Sequence, residues 1–194
     1  MPARKPGQRR VEILQMLARM LESPRWVKIT TAALAKKLDV SEAALYRHFA
    51  SKAQMYEGLI EFIEESIFGL ANRIATEETS GLKQVERTVA TLLAFAQKNP
   101  GMTRVLIGEA LVNEDERLQV RINQLFDRIE STLKQSLRFA AQQGEIEADT
   151  DGAAAAALFL GLVVGRWHQF AKSGFKRDPL ALWPEHWKIL VNSF

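Results

Sequence analysis

Apolar positions recur every three or four residues along nearly the whole chain, the spacing of one buried helical face. Val11, Leu14, Leu17 and Leu21 make the first stripe, and Pro24 closes it. In ITTAALAKKLDV, residues 29–40, Thr30 or Thr31 can cap a short helix whose buried side is Leu34, Ala35 and Leu38. Asp39-Val40-Ser41 is a turn. Ser41 then caps a third helix over residues 42–49, with Val40, Ala44, Leu45 and Phe49 in the core and Tyr46 open to partial burial. Ser51 caps a fourth, running to about Ile74. At about 100° per residue, Tyr56, Ile60, Ile63, Ile67, Leu70, Ala71 and Ile74 line its core face. Phe62 falls roughly 110° from that centre by the same geometry, on the flank with Met55, Ser66, Gly69 and Arg73.

Thr79-Ser80-Gly81 interrupts the pattern, which resumes over residues 82–97 and stops at Asn99-Pro100-Gly101. A short helix over 102–111 follows. A long one over 114–143 carries Leu118, Ile122, Leu125, Ile129, Leu133 and Leu137 on one face, and Gly144 ends it. Two more span about 151–173 and 182–192. No alternating β-branched run appears, so the expected fold is all-α. Three short helices make a head over residues 1–50, and the longer ones make a helical body over 51–194.

The 194 residues are 47% hydrophobic and 25% charged, an ordinary globular balance. The absence of cysteine excludes disulfides, thiolate metal sites and a cysteine nucleophile, and suits a cytosolic protein. The opening MPARKPGQRR leads into charged sequence, unlike a secretory signal. GAAAAALFLGLVVG, residues 152–165, falls short of the ~20 residues a bilayer needs and reads as a buried helix. The charge is segregated. Residues 1–58 hold 11 lysines and arginines against 5 acidic residues, and residues 59–194 hold 15 against 18. A basic head on a mildly acidic body points the head alone at a polyanion.

A tight turn before the third short helix marks a helix-turn-helix, which lays its second helix in the major groove. Thr30, Thr31, Ser41, Tyr46, Arg47, His48 and Lys52 offer hydroxyls and charges suited to bases and phosphates. Arg4, Lys5, Arg9 and Arg10 read as a flexible basic arm. The alternative is a solvated basic face, but caps, spacing and charge coincide here. Residues 29–61 further resemble the DNA-binding signature of the TetR family, through the turn, the YRHF block and the lysine opening the fourth helix. The resemblance implies that Thr30, Thr31, Ala43, Ala44, Tyr46, Arg47 and His48 face DNA and that Lys52 meets phosphate. Ala43 and Ala44 are small, so each could touch only thymine methyls.

The resemblance also implies dimerisation through the last two helices. The sequence agrees: residues 151–170 are apolar on most sides, with five consecutive alanines ending at Ala157, and Gly161 and Gly165 four apart. Close helix approach there, with Phe159, Leu162, Trp167 and Trp187, suits a two-fold homodimer on a palindrome; the alternative is a monomeric core helix. Phe95, Met102 and Trp167 can line a ligand pocket or simply pack.

Several segments outside that signature resemble the family's nucleoid-occlusion factors: LIEFIEESI (59–67), NPGMTRVLIGEAL (99–111), EDERLQVRINQLFDRIE (114–130) and LWP (182–184). Such factors bind palindromic chromosomal DNA and, once bound, antagonise the tubulin-like division protein FtsZ. The implied partner positions are Phe62, Lys98 and Asn99, with Arg73 near the place of an expected arginine that is Leu70 here. Thr91 and Ala94 also depart from the pattern. Edge-of-core packing for Phe62 and capping for Asn99 are the plainer alternatives. A repressor released from its operator by a small molecule is the second functional reading, and a helical adaptor without DNA contact the third. His48, His168 and His186 lie in separate segments, and no phosphate loop or nucleophile motif appears. The expectation is a non-enzymatic, cofactor-free cytoplasmic protein associated with the nucleoid.

Overall fold

The computed structural model describes residues 7–24 and 28–192; Arg4 and Lys5 of the expected arm lie outside them. Among the described residues the chain is all-helical: α1 (Gln8–Leu21), α2 (Thr31–Lys37), α3 (Glu42–Tyr46), α4 (Lys52–Glu77), α5 (Gly81–Lys98), α6 (Pro100–Leu106), a 3₁₀ turn (Glu109–Leu111), α7 (Glu116–Gln142), α8 (Gly152–Lys172) and α9 (Trp183–Val191). They form two compact units. The first holds the chain through Ile63 together with Asn99–Ile122, and the second holds Glu64–Lys98 and the chain from Asn123 onward.

In the first unit α1 buries Ile13, Leu17, Ala18 and Leu21, while Val11 is exposed. The expected stripe was thus rotated, because Val11 and Ile13 belong to two overlapping apolar rows and only one can face the core. From α4 this unit takes Met55, Tyr56, Leu59, Ile60 and Ile63, all buried. Burying each such side chain contributes about 1.5–3 kcal/mol. α6 lies hard against α1: a Cβ on Gly101 would sit 2.0 Å from the Ala18 carbonyl oxygen, so only glycine permits the approach. The expected helix over 102–111 is broken. Gly108 turns left-handed (φ 76°), ending α6 and starting the 3₁₀ turn.

Arg104 of α6 is buried, and its guanidinium spans the end of α1. Nη1 donates to the Leu21 carbonyl at 2.9 Å and the Ser23 carbonyl at 2.6 Å, and Nη2 to that of Pro24 at 3.4 Å. Nε lies 3.4 Å from a Glu109 carboxylate oxygen. The last carbonyls of a helix lack intrahelical partners and carry partial negative charge, so a cation is well placed there.

In the second unit α4 buries Ile67, Phe68, Ala71 and Ile74, but Leu70, expected in the core, is exposed. Phe68 takes the inward place, under the Arg128 guanidinium at 3.7 Å from its ring. The α7 stripe is buried as expected at Leu125, Ile129, Leu133 and Leu137. Trp167 is fully buried, its ring nitrogen donating to the Leu92 carbonyl at 3.1 Å and its ring 6.1 Å from that of Phe126. Phe95 and Phe159 are buried too, and Phe159 stacks on Trp187 at 5.8 Å. Asp151 caps α8, accepting from the Ala153 and Ala154 N–H groups at 2.9 and 3.1 Å, which holds its carboxyl below the usual range.

Arg104→Met removes the charge while keeping the bulk, and leaves the Leu21, Ser23 and Pro24 carbonyls without this donor. It should lower the urea unfolding midpoint, with a loss of about 3 kcal/mol at unchanged m-value.

Candidate nucleic-acid interface

The helix-turn-helix is set by two local caps. Thr30 Oγ1 accepts from Ala33 N–H at 3.1 Å and starts α2, and Ser41 Oγ accepts from Ala44 N–H at 3.2 Å and starts α3. Between them Leu34, Ala35 and Leu45 are buried, whereas Leu38, Val40 and Ala44, expected in the core, are only half-buried. Asp39 adopts the left-handed conformation (φ 53°) that makes the turn.

α3 is shorter than expected. It ends at Tyr46, and both His48 and Phe49 donate backbone N–H to the Leu45 carbonyl, at 2.9 and 3.1 Å. This tight turn sends Phe49 into the core and leaves Tyr46, Arg47 and His48 outward. Tyr46 is 44% exposed, with its ring open to solvent on one side of the helix. Ala43 is exposed beside it. The Thr31 hydroxyl donates to the Glu42 carboxylate at 2.5 Å and receives the Tyr46 hydroxyl at 3.5 Å. Glu42 was missed by sequence reasoning, although its place in the first turn of α3, where an acid is favoured, is a usable signal.

Two basic residues are not in an arm. Arg9 and Arg10 lie in the first turn of α1. Arg9 pairs with Glu12 at 2.8 Å and reaches the Leu38 carbonyl at 3.5 Å. Arg10 donates to the His48 carbonyl at 3.2 Å, its guanidinium 4.2 Å above the Phe49 ring. Both brace the turns on either side of α3. Lys52, expected on phosphate, opens α4 and pairs with Glu114 at 2.5 Å, both side chains largely withdrawn from solvent.

The expected partner positions fall in both units. In the first, Phe62 is 49% exposed and Asn99 is half-buried at the start of α6, its carbonyl accepting from Thr103 N–H at 3.0 Å. In the second, Arg73 and Lys98 are exposed. On α8 of that unit Ala157, Gly161 and Gly165 are exposed with Leu158, and nothing stands within 4 Å of a Cβ built on either glycine. Trp187 is half-buried against Phe159 and Trp183. Phe159 and Trp167 are therefore spent in the core of their own unit, and the open surface of α8 is its small-residue face. Among the described residues no three His, Asp or Glu side chains cluster as a metal site requires, and no helix is long and apolar enough to cross a membrane.

Two capped short helices behind α1, with Tyr46 and Arg47 facing outward, define a helix-turn-helix reader. Comparison with known proteins agrees. Residues 28–59 match the family described as bacterial regulatory proteins of the tetR family. Residues 79–194 match the SlmA-like, Tetracyclin repressor-like C-terminal domain. The nucleoid occlusion factor SlmA of Marinomonas sp. is 49% identical over 189 residues, covering 97% of this chain and 96% of that protein. That of Aliivibrio fischeri is 52% identical over 188 residues, covering 96% and 95%. A TetR transcription regulator from Haloarcula marismortui superposes with a TM-score of 0.81 at 16% identity, over 97% of this chain and 98% of that one, a likeness of fold. The chain belongs to the TetR family and, within it, to the nucleoid occlusion factors named SlmA.

Ser41→Ala removes the α3 cap and should destabilise the protein by about 1 kcal/mol in thermal or urea unfolding. Ser41→Asp, which also caps, should restore most of it.

Proposed function

We propose that this protein is a homodimer that binds palindromic chromosomal DNA through α3 and, on DNA, antagonises FtsZ assembly over the nucleoid. The observation that carries this is the extent of the likeness: close to half the residues are shared with nucleoid occlusion factors over nearly the full chain, not over the head alone. In this reading Tyr46, Arg47, His48, Thr31 and Ala43 meet base edges or phosphates, and Thr30 and Ser41 hold the helices that present them. Ala44 is half-buried and contributes less. Arg9 and Arg10 act at the flank, from a helix rather than an arm.

Dimerisation uses the α8 face of Ala157, Gly161 and Gly165, with Trp187 at its side. Small residues let two helices approach closely, and an isologous pairing gives two reading heads for a two-fold site. Phe62 supplies an apolar anchor for FtsZ, whose tail is acidic with apolar residues, and Arg73, Lys98 and Asn99 are each assigned to the same partner. Phe62 is 49% exposed, open enough for a partner to reach its ring. No catalytic role is assigned to any residue.

Selection of bound duplexes from a random-sequence library should recover a palindrome. Arg47→Ala should weaken binding to it by about 1–3 kcal/mol; recovery of no common sequence would contradict the DNA reading. Phe62→Ala should leave that affinity unchanged and abolish retention of FtsZ in a pull-down run with the duplex. Retention equal to wild type would remove Phe62 from the partner surface.

A further inference from the structure

Lys52 is the first residue of α4 and lies five residues after Arg47, at the edge of the helix-turn-helix. The start of α4 is firmly held: Ser51 Oγ accepts from Gln54 N–H at 3.1 Å, and Gln54 Oε1 accepts from Ala50 N–H at 2.9 Å. A lysine here combines with the positive end of a long helix, and α4 has no acidic residue in its first turn to offset either charge. The offsetting charge comes from 62 residues away. The Glu114 carboxylate lies 2.5 Å from Lys52 Nζ, and the two side chains keep only 20% and 10% of their exposure.

Glu114 is held where it can do this. Its N–H donates to the Leu111 carbonyl at 3.0 Å, closing a turn in which Asn113 is left-handed (φ 61°). The Lys52 ammonium also lies 5.6 Å from the centre of the Tyr56 ring, whose hydroxyl is held in its neutral form by burial first and by the Glu114 charge second. A carboxylate facing an ammonium at a helix N-terminus occupies the chemistry a phosphate oxygen would take. A DNA phosphate approaching Lys52 therefore meets a like charge already seated on it, in a pair that salt screens little because it is partly buried.

We infer that Glu114 limits the DNA affinity of the head by sequestering Lys52, so that docking requires the lysine to exchange a carboxylate for a phosphate. This deepens the proposed DNA-binding function and rests on it. It also fixes the salt dependence. While Glu114 neutralises Lys52, the phosphate contact releases little counterion; with Glu114 gone, it releases about one more.

The test is a titration of the palindromic duplex selected by the wild-type protein, by fluorescence anisotropy over a series of salt concentrations. Glu114→Gln should bind about fivefold tighter, with the slope of log affinity against log salt steeper by about one unit. Lys52→Met should cost more affinity in the Glu114→Gln background than in wild type. Glu114→Asp, which draws the carboxylate back by one methylene, should fall between, and serves as the readout if Glu114→Gln lowers the unfolding midpoint. Weaker binding by Glu114→Gln, or unchanged affinity and slope, would overturn the inference and leave Glu114 as a brace for α4. Failure of the wild-type protein to bind any selected duplex would instead overturn the DNA reading itself, and this inference with it.

Discussion

A helix ends with carbonyls that its own backbone cannot satisfy, and one buried guanidinium takes up the last of α1, that of Leu21, with two from the segment after it. Arg104 donates to Leu21, Ser23 and Pro24 and keeps Glu109 beside it. A buried cation is costly unless its donors are matched, and here matching it fixes where α1 stops against α6. Gly101, one turn earlier in α6, lets the two backbones close to contact. From the other end of α1, Arg9 and Arg10 reach the carbonyls of Leu38 and His48. The turns on both sides of α3 are thus tied through α1 to a clamp made of backbone acceptors. α3 itself is only five residues long and could not hold its own orientation.

The second unit solves a different problem. Its large aromatic residues, Trp167 and Phe159, are consumed in its own interior, and the indole nitrogen finds a carbonyl there. The exposed face of α8 at Ala157, Gly161 and Gly165 is small, with Leu158 beside it at 52% exposure. A face of that kind gains little from burial per residue but allows a short interhelical distance, which suits a helix that pairs closely with its own copy. The proposed division of labour follows: packing stabilises each chain, and the flat small-residue face of α8 serves assembly.

Much of this was legible in the sequence because it is local. The α7 stripe keeps one phase for six apolar residues, and its positions are buried as the spacing demands. Thr30 and Ser41 cap the helices they precede, since a cap needs only the next three residues. Illegible features depended on distant partners or on competing rows. Val11 against Ile13, and Leu70 against Phe68, are choices between adjacent apolar positions that periodicity alone leaves open. Arg9 and Arg10 looked like an arm because their acceptors are backbone carbonyls 29 and 38 residues onward. Carbonyls carry no sequence signature. The Lys52–Glu114 pair was hidden because its two side chains lie 62 residues apart in the chain.

The account joins a DNA-reading head to an action on the division machinery, and that junction is what a direct measurement must probe. Light scattering by polymerising FtsZ should be followed with the protein alone, with the selected duplex alone and with both. The account predicts that only protein and duplex together lower the scattering substantially. Equal scattering with and without the duplex, at protein concentrations where the duplex is saturated, would contradict it.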